Sequence, residues 1–244
     1  MTTRIAVFGD LHGNHAATAA TLAAIGAERP DAVYCLGDLV GYGAHPNETV
    51  ALVREHAVPT IVGNYDDGVG FDRDECGCAY TDPEEEARGQ RSLRWTRGVT
   101  TDDHKAHLRT LLPEVRFDAG GRRFRLVHGS PRRMNEYLFE DRDPRSLERI
   151  ARAADCDVLV FGHTHKPWTR EIEGVLFVNA GSAGKPKDGD PRACLVLLSV
   201  AAGAPVTVEF RRVAYDIATE AAAIRGADGL PDHYARDLET GGAP

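Results

Sequence analysis

A chain of 244 residues, 42% of them hydrophobic, is long enough to bury one substantial core, and a single α/β domain accounts for that length without subdivision. The formal net charge of −8 and a pI near 5.7 exclude a broad basic face that grips long nucleic acid through many phosphates, yet leave room for one locally positive pocket around a small phosphorylated molecule. The longest apolar run, "ACLVLLSVAA", falls well short of the ~18 residues of a membrane span, and "MTTRIAVFGD" enters a strand without signal-peptide features, so a soluble, cytoplasmic protein is expected.

The first half alternates strands and helices. "RIAVFG", "AVYCLG" and "PTIVG" are short continuous apolar runs that read as buried strands. Between them, "HAATAATLAAIGAE" and "HPNETVALVREH" space their apolar residues at three- and four-residue steps, as helices do. Two βαβ units and a parallel sheet core are predicted. Residues 67–112 break this rhythm with an acidic, glycine-containing loop and helices predicted around 84–97 and 102–112, a helical insertion in the single domain 1–244. Strands return as "RFRLVHG" and "DVLVFGH", separated by a helix from Pro144 to Ala154. "GVLFVNAGS", "RACLVLLSV" and "PVTVEFRRVAYD" then follow one another through turn-rich connections, which predicts antiparallel pairing. From Ile217 to Pro244 the sequence reads as one short helix and a polar tail. A mixed sheet, or two stacked sheets flanked by helices, fits both halves.

Five scattered cysteines, Cys35, Cys76, Cys78, Cys156 and Cys194, do not form a disulfide framework, and "CGC" at 76–78 lacks the second pair of a thiolate metal site. Metal-capable side chains of another kind stand at successive strand ends. Asp10 and His12 follow "IAVFG", Asp38 follows "VYCLG", Asn64 follows "TIVG", His128 follows "RLV", and His163 with His165 follow "VLVFG". Ligands gather at the carboxyl ends of strands in open α/β sheets, so residues remote in sequence converge there. Imidazoles, carboxylates and one amide oxygen suit a pair of borderline divalent ions, Mn, Fe or Zn. Two such ions ~3.5–4 Å apart acidify a bridging water and clamp the oxygens of an in-line displacement at phosphorus.

Taken in order, "GDLHGN", "GDLVGY", "GNYD", "VHGS" and "GHTH" resemble the five signature blocks of the calcineurin-like metallophosphoesterase superfamily, and "NAGSAGKPKDGDPRA" resembles the end of its small bacterial phosphodiesterase branch. The blocks run from Gly9 to His165, about two thirds of the chain, and it is their ordered set that is specific. The resemblance implies a four-layer αββα sandwich of two mixed β-sheets flanked by helices, with a dinuclear metal centre at its edge. It implies one metal on Asp10, His12, Asp38 and His165 and the other on Asp38, Asn64, His128 and His163. The activity implied is hydrolysis of a phosphate ester by a metal-bridging hydroxide, with a small phosphorylated substrate, most simply a phosphodiester of a small or nucleotide-like molecule. Other readings of the same blocks are a phosphomonoesterase, a protein phosphatase, or a non-catalytic interaction module that keeps the fold. Val62 stands where the protein-phosphatase branch resembles an arginine, and all seven ligand positions are filled, which weighs against the last two.

The third block departs from the pattern. Much of the superfamily resembles Gly-Asn-His-Asp/Glu, with the histidine assisting the leaving group and the acid orienting it; here the residues are Gly63, Asn64, Tyr65 and Asp66. A phenol with a reference pKa of ~10 stays protonated at neutral pH and can donate a hydrogen bond, but it is a poorer proton donor than imidazolium. Tyr65 is therefore expected to tune catalysis toward good leaving groups, with Asp66 behind it and Asp38 and Asn64 at the metals. For the substrate's phosphate, Arg132, Arg133 and Lys185 are the candidate cations, with Lys187, Lys166 and Arg192 nearby in sequence, and Asn14 opens the first helix beside the site.

Overall fold

The computed structural model describes residues 1–80 and 82–242, so the last two residues of the expected tail, 243 and 244, lie outside the described residues. In chain order the elements are β1 (Thr2–Phe8), α1 (His15–Glu28), β2 (Ala32–Cys35), α2 (Pro46–Glu55), α3 (Asn64–Gly70), α4 (Pro83–Val99), α5 (Asp102–Leu108), β3 (Val115–Ala119), β4 (Arg122–Leu126), α6 (Pro144–Ala154), β5 (Val158–Phe161), β6 (Trp168–Ile172), β7 (Val175–Asn179), β8 (Ala193–Ala201), β9 (Thr207–Val213), α7 (Ile217–Gly226) and α8 (His233–Thr240). They form a four-stranded sheet ordered β2-β1-β8-β9 and a five-stranded sheet ordered β3-β4-β5-β7-β6. Both are mixed: β1 runs parallel to β2 and antiparallel to β8, while β5 runs parallel to β4 and β7, whose outer neighbours β3 and β6 are antiparallel to them.

Strand alternation explains the layering. Along β1, Ile5 and Val7 face one way, toward Phe124, Leu126, Val158 and Val160 of the second sheet. Ala6 and Phe8 face the other way, into a core shared with Leu22 and Ile25 of α1, Val50 and Val53 of α2, and Ile224 of α7. On β5 the same period sends Val158 and Val160 between the sheets and Leu159 and Phe161 against Leu147 and Ile150 of α6. A strand buried on both faces must be apolar throughout, which is why these segments read as continuous apolar runs. The result is the four-layer αββα sandwich. No helix among the described residues is long and apolar enough to cross a membrane.

Several expectations need correction. "PTIVG" is not a strand of either sheet: Thr60 and Ile61 make isolated bridges to Cys35 and Leu112, after which the chain turns at once into α3. "GVLFVNAGS" and "RACLVLLSV" do not pair, because β7 joins β5 and β6 while β8 lies beside β1 in the other sheet. The half-exposed strands β3 and β6 carry too many charged residues to stand out in the sequence. The expected polar tail contains a second helix, α8, whose Tyr234, Ala235 and Leu238 are buried. The insertion is part of the same core, since Val69, Leu93 and Leu108 pack with β1 and α2 residues.

Candidate metal centre

β1 and β2 run parallel in one sheet and β4 and β5 run parallel in the other, and the loops that follow these four strands meet at one edge. The loop after β1 delivers Asp10 and His12, that after β2 Asp38, that after β4 His128, and that after β5 His163 and His165; Asn64 opens α3. All seven are buried. Six of them form two groups, each with its ligand atoms within 4.8 Å of one another: Asp10 with His12 and His165, and Asp38 with His128 and His163. His12 Nε2 is 3.0 Å from His165 Nε2, and His165 Nε2 is 3.4 Å from Asp10 Oδ1. On the other side, His128 Nε2 is 3.3 Å from Asp38 Oδ2 and 3.1 Å from Asn64 Oδ1. Asp38 Oδ2 also lies 3.7 Å from His12 Nε2, so this one oxygen faces both groups.

The backbone is bent to achieve this. Asp10, His12, Asp38, His163 and His165 all hold φ between 50° and 66°, a region that costs a non-glycine residue about 1–3 kcal/mol. Two glycines give the carboxylates room: a Cβ on Gly63 would collide with Asp38 Oδ1, and one on Gly162 with Asp10 Oδ2. The rings are then oriented from behind. The Nδ1 atoms of His12, His128 and His165 pair with the carbonyls of Val40, Leu36 and Lys185 at 3.1, 2.7 and 2.6 Å, which assigns Nδ1 as the donor and leaves each Nε2 lone pair facing inward. Asn64 Nδ2 donates to Cys78 Sγ at 3.3 Å, turning its amide oxygen toward His128.

This set fits a pair of divalent cations. Asp10 Oδ1 and His163 Nε2 are buried without any hydrogen-bond partner, a cost that a coordinated ion removes. Burial raises the Asp10 carboxyl and drives His163 and His165 well below the ordinary histidine range, keeping the rings neutral and able to coordinate; burial, with His165 close by, lowers His12 to about 3. His128 alone goes the other way: burial opposes its charge, but Asp38 and Asp10 raise it to about 10. The buried carboxylates thus draw in positive charge, which a divalent ion supplies as well as a proton does.

The comparisons with known proteins agree with this geometry. Residues 3–203 match the calcineurin-like phosphoesterase superfamily domain. The chain belongs to that superfamily. This calcineurin-like phosphoesterase is 30% identical over 231 residues to the uncharacterized protein MJ0912 of Methanocaldococcus jannaschii, an alignment covering 87% of this chain and 88% of the relative. Among solved structures it resembles a metallophosphoesterase from Sphaerobacter thermophilus, with a TM-score of 0.76, 29% identity and coverage of 99% of this chain and 100% of that one. It shares its fold with the hypothetical protein PH1004 of Pyrococcus horikoshii OT3, at a TM-score of 0.83, 22% identity and the same coverage.

The remaining expected residues of this phosphoesterase lie around and beyond the ligands. Tyr65 is 1% exposed; its ring packs against His12 and Tyr42, with centroids 5.6 and 4.6 Å away, and its hydroxyl lies 3.5 Å from that of Tyr80. Burial pushes its phenol well above the ordinary range. Asp66 accepts from the backbone N–H groups of Leu39 at 2.8 Å and Gly63 at 3.0 Å, tying α3 to the loop that carries Asp38. Burial and the neighbouring Asp38 raise Asp66 to about 7. Asn14 caps α1, accepting from Ala17 and donating to Gly184 and Tyr215, so its amide is fully used. Arg132 is exposed and paired with Glu136, while the exposed Arg133 lines a cleft with Gly77, Ala79 and Asn135. Lys185 is buried, 2.5 Å from Asp237 of α8, with its ammonium over the rings of Tyr42 and Tyr234.

Residues that the sequence did not single out complete the wall. Tyr42, Tyr80 and Tyr234 line the cavity beside the centre together with Lys185 and Lys187. Tyr42 is the last residue of the "GDLVGY" block, whereas Tyr80 lies in the acidic loop and Tyr234 in α8, where nothing local marks them. Cys76 and Cys78 bring their sulfurs to 3.1 Å, and Cys76 helps to hold the Cys78 thiol near about 7.

Proposed function

We propose that this protein is a dinuclear metal-dependent phosphodiesterase acting on small or nucleotide-like phosphodiesters. The observation that carries the reading is Asp38 Oδ2, a single buried oxygen facing His12 at 3.7 Å and His128 at 3.3 Å, as a carboxylate shared between two ions requires. Asp10, His12, Asp38 and His165 would hold one ion, and Asp38, Asn64, His128 and His163 the other. When bound, a pair of Mn, Fe or Zn ions supplies Lewis acidity toward phosphoryl oxygens and acidifies water.

The chain's own residues do the rest. Gly63 and Gly162 let the backbone close on the two carboxylates, and the carbonyls of Val40, Leu36 and Lys185 engage Nδ1 of His12, His128 and His165 and so turn each Nε2 toward the centre. Tyr42 and Tyr65 shield His12 from water. Because the Tyr65 phenol is held neutral and its hydroxyl is next to Tyr80, leaving-group protonation is weak, which favours esters that leave readily as anions. The aromatic and cationic cavity, which borders His12 through Tyr42 and His163 through Tyr137, has room for an organic ester arm of the substrate.

The test compares hydrolysis of bis(p-nitrophenyl) phosphate with p-nitrophenyl phosphate, in chelated protein and after reloading with Mn, with Asp38→Asn as control. Metal-dependent cleavage of the diester, at least tenfold faster than the monoester and absent from the control, is expected. Preference for the monoester would make it a phosphomonoesterase. No turnover of either ester by protein shown to contain two ions would leave a metal-binding interaction module.

A further inference from the structure

The cavity beside the centre encloses about 450 Å³, within the range of small-molecule sites. Five of its fourteen lining residues are Tyr or Phe, against 7% aromatic content in the whole chain. Four others are Arg or Lys, on a protein of net charge −8. Two of those cations are already engaged, Arg88 with Glu84 and Lys185 with Asp237. Lys166 and Lys187 make no side-chain hydrogen bond or ion pair among the described residues, so their charges remain available to a ligand.

The aromatic rings are ordered relative to the metal ligands. Tyr137 lies against His163 with centroids 4.1 Å apart, and Phe139 stacks on Tyr137 at 5.7 Å and 15° between planes. Phe139 is 38% exposed and forms the outer end of the series. Opposite, Tyr42 packs edge-on to His12 at 4.8 Å, so the cavity borders one ligand from each triad. His163 and Tyr137 are tilted at 42°, whereas Tyr137 and Phe139 are stacked, and a stacked pair that begins beside a metal ligand and ends on an open ring face has the form of a platform for one more planar ring.

We propose that this cavity is a subsite for a nucleoside arm, its base stacking on the Tyr137–Phe139 pair beside Tyr80 and Lys187 meeting a non-bridging oxygen of the phosphate held at the metal centre. The inference rests on the phosphodiesterase reading above and names the arm that such a substrate carries. Stacking tolerates any base, since each has a π-face, so the subsite selects for a nucleobase rather than for one base.

Calorimetric titration of the metal-loaded protein with AMP, ribose 5-phosphate and inorganic phosphate separates base from phosphate. AMP should bind about tenfold or more tightly than ribose 5-phosphate. Phe139→Ala, on the surface, and Tyr80→Ala should each narrow that gap, whereas Lys187→Ala should weaken AMP and ribose 5-phosphate alike. Equal affinity of the wild-type protein for AMP and ribose 5-phosphate would overturn the subsite, as would a gap that survives both aromatic substitutions. Hydrolysis of bis(p-nitrophenyl) phosphate, measured on the same preparation, scores the parent reading separately. Turnover without AMP preference defeats the subsite alone; AMP preference without turnover of any diester keeps the subsite and defeats the phosphodiesterase.

Discussion

Asp10, His12, Asp38, His163 and His165 sit in the left-handed region because each must leave a strand and turn its side chain back across the sheet edge within one or two residues. Tyr65 answers to packing more than to chemistry: its ring fills the space that Gly41 leaves open and its hydroxyl reaches Tyr80. Tyr65→Phe is therefore expected to keep diester turnover within about threefold of wild type in steady-state kinetics, since it removes only a weak hydrogen bond between two phenols. A loss above about tenfold, growing as the leaving group becomes more basic, would instead make the phenol a proton donor. A second titrating residue, Glu136, bears on stability. Burial opposes its charge, but Arg132, Ser130 and Arg142 hold it near about 2, below its ordinary 4.5. A depressed carboxyl stabilises the fold above the unfolded-state pKa and loses that contribution as pH falls through the folded value. Urea melts of wild type and Glu136→Gln should therefore differ most above pH about 4.5 and converge toward pH about 2.

Among the elements, α8 decides more than its position near the chain end implies. Its apolar stripe of Tyr234, Ala235 and Leu238 docks on the helices of the first layer, and its Asp237 fixes Lys185 under the cavity. Leu238→Ala should cost about 2–4 kcal/mol in denaturant unfolding, because the side chain is 4% exposed and little around it can collapse into the gap. A change below about 0.5 kcal/mol would mean that α8 is not held as a packed element. The turn into α3 is equally consequential. Asp66 bonds to Gly63 and Leu39 at once, which pulls the third block away from the sheet and lets the Tyr65 N–H reach Asp38 Oδ1 at 2.8 Å. That is why "PTIVG" makes two bridges and no strand, although its composition is that of a strand.

For the molecule as a whole, four loops from the two sheets and the start of α3 meet at one edge, and the buried groups they carry are incompletely paired. Filling that edge should stabilise the fold by mass action, about 2.7 kcal/mol at a hundredfold excess over the dissociation constant. For a chain of 244 residues this amounts to a rise of roughly 5–10 °C in Tm between chelated and metal-loaded protein, measurable by thermal melting. An unchanged Tm with Mn, Fe and Zn alike would argue that the two triads do not take up these ions in the folded state.

How far the sequence reaches follows from where the signals lie. The ligands were legible because each stands directly after a short apolar run, a true strand for all but Asn64, and because Asp-x-His and His-x-His place two donors on one loop. β1, α1, α6 and β5 were legible for the same reason: a segment buried on a whole face writes its burial into its spacing. β3, β6 and α8 were not, since an edge strand or a short terminal helix buries only two or three residues and its charged positions mask the pattern. Pairing could not be read either, because "GVLFVNAGS" and "RACLVLLSV" are equally apolar and only the stacking of two sheets sends them to different partners. The sequence by itself determined the metal-ligand types, which depend on residue chemistry at the strand ends, while the αββα class followed from the resemblance its ordered blocks carry and not from local period, which left one mixed sheet or two stacked sheets open. Only the tertiary structure decided that Asn14, Asp66 and Lys185 are consumed in holding the frame, and that Tyr42, Tyr80, Tyr137 and Lys187 meet in one cavity, because contacts between residues remote in the chain leave no local trace.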